Sequence, residues 1–463
     1  MAFDQRFRGV CIWVLVAFLA VCALVGYWSG VRGDELRANP ENPSAVQRMA
    51  RTCPGRLDAG QQEILGREQR GETWVRTYPG GEDFCHLTGY GPASGLQKPL
   101  RAQLYATGGP HRRWKELLGD SPVGNDVHLA IMPEAQQVAT RLLRQEGKPG
   151  AVVAVDPRSG ALLVMASAPA YSPEGLTTDP LRLEQFQTNP DTPELNRALQ
   201  GMYPPGSVFK LAAAAGALEA GFDPETKFVC HGRDKVQGIE VACWQQRGHG
   251  ELDLAQAVER SCNVYFAHVG AKLGGRRLSE YATSLGVFEP FAVGLPTKAS
   301  AIPRRSAGDV ADAMAMAYGQ GKLMVTPLAM ALLGAVIANG GQLQLPYLVA
   351  SAADADGGQL AGPQSGRPRQ VMDSRAAEQL RGMMRGAVEH RGGTAGRAAS
   401  SRTTVAGKTG SAQHPDGPAH AWFVGFAPAE EPQAAVAVIV ERGGSGGDTA
   451  APIAREVLGA LLD

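Results

Sequence analysis

No sign of charge dominates this sequence. Its 463 residues hold 45 Lys+Arg and 45 Asp+Glu, so nothing in the balance points to nucleic acid as a partner. Charged residues are only 19% and aromatics 6% of the chain, while hydrophobic residues reach 44%. That is too apolar for a disordered chain and fits globular folding. Histidine is scarce. There are nine, with no H-x-x-x-H spacing, so neither a metal nor a cofactor is expected. No internal repeat occurs, which argues against a solenoid. The length exceeds one ordinary core, so two or more domains are expected.

One segment does not read as globular. Val10 to Trp28 is 19 residues without a charge, about 28 Å as a helix, or one bilayer core. Arg6 and Arg8 precede it, which favours a cytoplasmic N-terminus. Residues 1–9 then read as a cytoplasmic tail, 10–28 as a single membrane anchor, and everything after Trp28 as external. A cleaved signal peptide is the rival reading, but its apolar core would be shorter and no small-x-small site follows. A lipoprotein site at Cys22 is a further one, with Val21 a poor residue before it. An external address permits disulfides. Cys53 with Cys85 and Cys230 with Cys243 are the candidate pairs, although spacing alone does not fix connectivity. The plainer reading is free, half-buried thiols.

Residues 31–124 are rich in Pro, Gly and Asn (Asn39-Pro-Glu-Asn-Pro43) and read as a small, mostly β or irregular pedestal. From 125 the pattern changes. Pro133–Glu146 reads as a helix, and the segment from Gly150 to Ser167 as a hairpin turning at Pro157-Arg-Ser-Gly160. A helix is expected after Pro204-Pro205-Gly206, ending at Gly221, with others at Leu254–Arg260, Val264–Leu273, Pro327–Ala338 and Ala451–Leu462. Ala421–Phe426 and Ala434–Val440 read as strands, and Gly357–Arg369 as a surface loop. A hairpin plus late strands with helices between is an α+β arrangement.

Three short patterns carry chemistry. Ser207 and Lys210 are three apart at a helix start, so they share a face. A serine hydroxyl needs a base, and a lysine serves if burial keeps it partly neutral. Ser261-Cys262-Asn263 places a hydroxyl and an amide two residues apart, the first able to relay a proton and the second to hold a carbonyl or the lysine. Lys408-Thr409-Gly410, followed by Ser411, offers a cation and a hydroxyl to a carboxylate beside backbone left bare by glycine. Each is weak alone, because S-x-x-K occurs in many helices and Asn263 could be only a cap. A phosphate loop ending at Gly407-Lys408-Thr409 is excluded, because it needs glycine at 402 and Arg402 stands there. Gly319-Gln-Gly321 likewise lacks the third glycine of a dinucleotide loop, since Met324 stands there.

The three patterns in this order resemble the penicillin-recognising serine enzymes. The segments from Leu195 to Lys210, Gly248 to Phe266, Tyr318 to Ala331, Val405 to Gln413 and His420 to Pro428 look like class B penicillin-binding proteins. The segment Tyr78-PGGEDFCHLTGY resembles the pedestal of a short subgroup. Ser411 stands where threonine is more usual. The resemblance implies the penicillin-binding transpeptidase or serine β-lactamase fold over 125–463, and a peptidoglycan D,D-transpeptidase that β-lactams acylate. It implies Ser207 as nucleophile, Lys210 as base, and Ser261 and Lys408 as proton relay. Thr409 and Lys408 would bind the carboxylate of a D-Ala-D-Ala stem peptide, Asn263 would hold the donor, and the backbone N–H groups of Ser207 and Ser411 would form the oxyanion hole. It also implies a SEDS-family glycan polymerase as membrane partner, because no segment before 125 could hold a glycosyltransferase. The rivals are a D,D-carboxypeptidase or β-lactamase of the same fold and a non-catalytic β-lactam sensor or scaffold. A lone β-lactamase is usually smaller and unanchored, and the intact motifs argue against a dead site.

Overall fold

The computed structural model describes residues 2–28, 32, 49–105, 123–302, 310–354, 356–362 and 366–463. Helix α1 (Ala2–Gly26) opens the chain. Its segment Gly9–Gly26 has a mean hydropathy of 2.7 and none of it is buried, so it is long and apolar enough to cross a bilayer. The Asn39–Pro43 stretch lies outside the described residues.

Strands β1 (Leu57–Ala59), β2 (Gln62–Arg70), β3 (Thr73–Thr77) and β4 (Asp126–Leu129) follow. Next come α2 (Pro133–Glu146) and the hairpin β5 (Gly150–Val155) and β6 (Leu162–Ala168). Helices α3 (Lys210–Glu219), α4 (Asn263–Leu273) and α5 (Pro327–Ala338) precede β7 (Val349–Ala353), β8 (Gln359–Ala361) and α6 (Ser374–Glu389). The chain closes with β9 (Ala406–His414), β10 (Gly417–Ala427), β11 (Ala434–Val440) and α7 (Ala451–Leu462).

One sheet has the order β8-β7-β4-β1-β2-β3, so it draws strands from both sides of residue 124. The expected surface loop after Gly357 therefore contributes β8, paired antiparallel with β7. The other sheet runs β9-β10-β11-β5-β6, antiparallel throughout.

Strand β11 reads AAVAVIV and is buried at every position, because both its faces are covered. Val436, Val438 and Val440 pack in one apolar layer with Ala139 and Leu143 of α2 and Val457 and Leu458 of α7. Ala435, Ala437 and Ile439 point into the other layer. There α5 lies with all twelve residues buried. Its start is set by Thr326, whose hydroxyl accepts from Ala329 N–H, and by Pro327, an ordinary cap with proline in the first turn. The second layer carries the active-site helices on the sheet.

Candidate active site

Ser207 lies on a short 3-10 turn, Gly206–Phe209, and Lys210 begins α3. The expected helix thus starts one turn late. Tyr203 exchanges two backbone hydrogen bonds with Val325, and Gly206 N–H donates to Gly319 O at 3.0 Å. Gly206 has φ +55° and Gly319 φ +82°, and a Cβ on Gly319 would meet Gly206 O at 1.8 Å. Only glycine permits this approach.

Ser261 joins the helix Leu254–Glu259 to α4 with φ +58°. A left-handed serine is strained. Here it aims both its hydroxyl and its carbonyl at lysine. Lys210 Nζ donates to Ser261 O at 2.7 Å and Asn263 Oδ1 at 2.8 Å, and lies 3.0 Å from Ser207 Oγ and 3.2 Å from Ser261 Oγ. Lys408 Nζ, from β9, donates to Ser261 Oγ at 2.8 Å and to Thr409 O at 2.9 Å. The three motifs therefore meet at Ser261.

Both lysines are completely buried, while Ser207 is half-exposed. Burial pushes the Lys210 ammonium down to about 8. Burial, and then the neighbouring Lys210, drive Lys408 well below the ordinary lysine range. Two buried cations sharing one hydroxyl favour loss of a proton. A neutral Lys210 amine has two hydrogens and one lone pair. The carbonyls of Ser261 and Asn263 take the hydrogens, which turns the lone pair toward Ser207 Oγ. An arrangement of this kind is able to activate a serine nucleophile.

The sequence from 150 to 459 matches the penicillin-binding protein transpeptidase domain model. The chain belongs to the penicillin-binding transpeptidases. It is 32% identical, over 99% of both chains, to the peptidoglycan D,D-transpeptidase PbpA of Mycolicibacterium smegmatis. Its structure matches penicillin-binding protein A of Mycobacterium tuberculosis, solved as a ceftriaxone acyl-enzyme, with a TM-score of 0.84 at 28% identity over 90% of this chain and 100% of that one. The D,D-transpeptidase domain of an Eggerthella lenta peptidoglycan glycosyltransferase matches with a TM-score of 0.78 at 32% identity, over 89% of this chain and 99% of that one.

On this penicillin-binding fold, Thr409 is buried and donates its hydroxyl to Thr394 Oγ1 at 2.9 Å. Thr394 N–H is held by Glu259 O at 3.1 Å. Ser411 is exposed, with its hydroxyl accepting from Gly446 N–H at 3.2 Å. Thr394 and Gly446 were not legible as site residues, since Gly392-Gly393-Thr394 reads as an ordinary loop.

Neither candidate cysteine pair is bonded in this structure, where all seven cysteines are free. Cys53 forms a backbone bridge with Val123, whereas Cys85 sits beside His86 Nδ1 (3.3 Å), with its carbonyl taking the Tyr171 hydroxyl. The topology gives each its own neighbours. Cys230 and Cys243 do converge, but as half of a larger group. Their Sγ atoms, that of Cys262 and a ring nitrogen of His249 all lie within 4.8 Å of one another. His249 Nδ1 is 3.7 Å from Cys230 Sγ and 3.5 Å from Cys243 Sγ, and Cys243 is 4.0 Å from Cys262.

Beside the expectation of no metal stands this one group, among the described residues, whose donors could hold an ion. Three thiols and an imidazole are a closed zinc-type donor set, and a tetrahedral ion with bonds of about 2.3 Å would space its sulfurs by about 3.8 Å. The observed spacings fit. Spacing rules missed the group because its donors come one each from four segments, and Cys262 looked like the filler of S-x-N. Backbone N–H groups already point at the sulfurs, Asn263 N–H at Cys243 (3.4 Å) and Tyr265 N–H at Cys262 (3.5 Å). An ion here would supply structural cross-linking, fixing Cys262 between Ser261 and Asn263.

Proposed function

We infer that this protein is a serine peptidoglycan D,D-transpeptidase in which Ser207 is the nucleophile and Lys210 its base. The observation that carries the reading is the hydrogen-bond set of Lys210, whose two carbonyl partners leave its lone pair for the Ser207 hydroxyl. Ser207 Oγ attacks the carbonyl between the two terminal D-alanines of a stem peptide while its proton passes to Lys210. The developing oxyanion takes the backbone N–H groups of Ser207 and Ser411. Ser261, bonded to both lysines, passes the proton to the departing D-alanine amine. Thr409, held by Thr394 in the free enzyme, turns its one hydroxyl hydrogen to the terminal carboxylate. Lys408 Nζ, spent on Ser261 and Thr409 O, supports that carboxylate by its charge. Asn263 holds the donor peptide. The amine of a neighbouring stem peptide then attacks the ester carbon and loses a proton to Lys210, which returns it to Ser207 Oγ as the C–Oγ bond breaks. A β-lactam enters by the first step and stays as the acyl-enzyme.

Helix α1 anchors the enzyme as a single span of the cytoplasmic membrane, with residues 1–9 inside and the catalytic fold outside. Residues 31–124 are the pedestal between them, and the catalytic fold covers 125–463. The partner is a SEDS-family glycan polymerase docked on anchor and pedestal, as the resemblance to class B penicillin-binding proteins implies, with helix α1 long and apolar enough to share its bilayer. The test is to incubate the full chain in detergent with a fluorescent penicillin and map the adduct by peptide mass spectrometry. An adduct on Ser207, absent in Ser207→Ala, is expected. An adduct elsewhere, or labelling that survives Ser207→Ala, overturns the assignment.

A further inference from the structure

Glu441 lies just past the end of β11, outside the three motifs, and its backbone N–H donates to Pro149 O at 2.8 Å. One of its oxygens, Oε1, accepts from two buried partners: Arg197 Nε at 2.8 Å and the Tyr203 hydroxyl at 2.8 Å. The rest of the Arg197 guanidinium is held by Thr192 O (3.1 Å), Asp191 O (2.9 Å) and Thr192 Oγ1 (3.1 Å). Its position is therefore fixed. Tyr203 stands four residues before Ser207. Its ring meets Trp422 and His420 edge-on, and Trp422 Nε1 donates to Pro204 O at 3.0 Å. Beyond Glu441 the chain is tied to the other wall of the site. Arg442 N–H donates to His420 Nδ1 (3.1 Å), Gly444 N–H to Ala419 O (2.8 Å) and Gly446 N–H to Ser411 Oγ (3.2 Å).

We propose that Glu441 is a positioning residue that locks the Ser207 turn, through the Tyr203 hydroxyl, at a fixed distance from the Ser411 strand. The two backbone N–H groups that must face one oxyanion come from these two segments. Each reaches Glu441 within five residues of chain. A half-buried carboxylate that served only the buried Arg197 would balance its charge and would not need the phenol. The second hydrogen bond joins that rigid pair to the nucleophile turn. Small misplacements in such a pair of donors are costly, because the donors act by preorganisation.

This inference rests on the acyl-enzyme reading above, and the experiment separates the two. Tyr203→Phe removes one hydroxyl and leaves the Arg197–Glu441 pair and the ring contacts in place. With the full chain and penicillin G, acylation at saturation should slow by roughly tenfold to a hundredfold. The dissociation constant of the complex before acylation should stay unchanged. In the infrared spectrum of the acyl-enzyme, the ester carbonyl band should move to higher frequency and broaden, reporting weaker oxyanion-hole hydrogen bonds. A purely structural role would lower the melting temperature without moving that band. Glu441→Gln, which keeps an acceptor for Tyr203, should retain more of the acylation rate than Tyr203→Phe. Wild-type acylation and an unmoved band in Tyr203→Phe overturn the proposal. Failure of the wild-type chain to form any ester would instead overturn the nucleophile assignment.

Discussion

Lys210 Nζ lies 3.0 Å from Ser207 Oγ and 2.7 Å from the carbonyl of Ser261, a residue 51 positions further along the chain. The proposed nucleophile and base are local in sequence, but the carbonyl that would orient the base is not. The consequences can be measured.

Acylation by penicillin should rise with pH through about 8 and then level off, because Lys210 works only when neutral and burial pushes its ammonium down to about 8. Stability changes in the same direction. The unfolded chain holds this proton up to its ordinary value of 10.5 and the folded chain does not. The unfolded state therefore binds more protons between those values, and this site's contribution to stability rises with pH across that window. Stopped-flow acylation from pH 6 to 10 checks the first statement. A flat profile would remove Lys210 as the base.

Lys210→Arg should lower the acylation rate by about 10²- to 10⁴-fold, the usual size of a general-base contribution. Guanidinium keeps the charge but does not give up its proton. Loss of only a few-fold would point to another base, Lys408 being the nearest.

Thr394→Ala should weaken acylation by roughly fivefold, the worth of one hydrogen bond of about 1 kcal/mol to Thr409. Thr394→Ser should restore it, because the hydroxyl alone is needed. Second-order acylation constants for the two variants decide this. Equal losses in both would make Thr394 a packing residue.

The purified full chain should carry about one zinc-type ion, four ligands making one closed site. Cobalt exchange should give thiolate-to-metal absorption, which Cys262→Ser and His249→Ala should diminish. Chelation should lower the melting temperature, because the donors come from separate segments and their cross-link stabilises the fold. A metal-free chain whose melting temperature ignores chelators would leave the four side chains as packing partners only.

Replacing residues 9–26 and 49–105 by unrelated sequence of the same length should abolish co-purification of a SEDS-family polymerase from detergent. An anchor that shares the bilayer with its partner gains effective concentration as well as contact. Equal recovery with both constructions would place the partner elsewhere.

The sequence by itself determined most of the element plan. Strand β11 is a run of seven apolar residues bounded by polar ones, α2 and α5 start on a proline, and α7 has one in its first turn. These are local signals, set by periodicity and caps, so they survive without knowledge of neighbours. The motif order likewise named Ser207, Lys210, Ser261, Asn263, Lys408 and Thr409, and the fold brings all of them to one centre. What only tertiary structure decided lies between distant segments. Thr394 meets Thr409 because β9 lies beside the loop after α6. Glu441 reaches Tyr203 across 238 positions. Cys230 and Cys243 joined Cys262 and His249 in one group instead of closing a bond between themselves, and Cys53 and Cys85 went to different neighbours. Spacing along a chain reports which side chains share a face of one helix or strand. It carries no information on which faces meet, because that is set by how whole apolar surfaces pack.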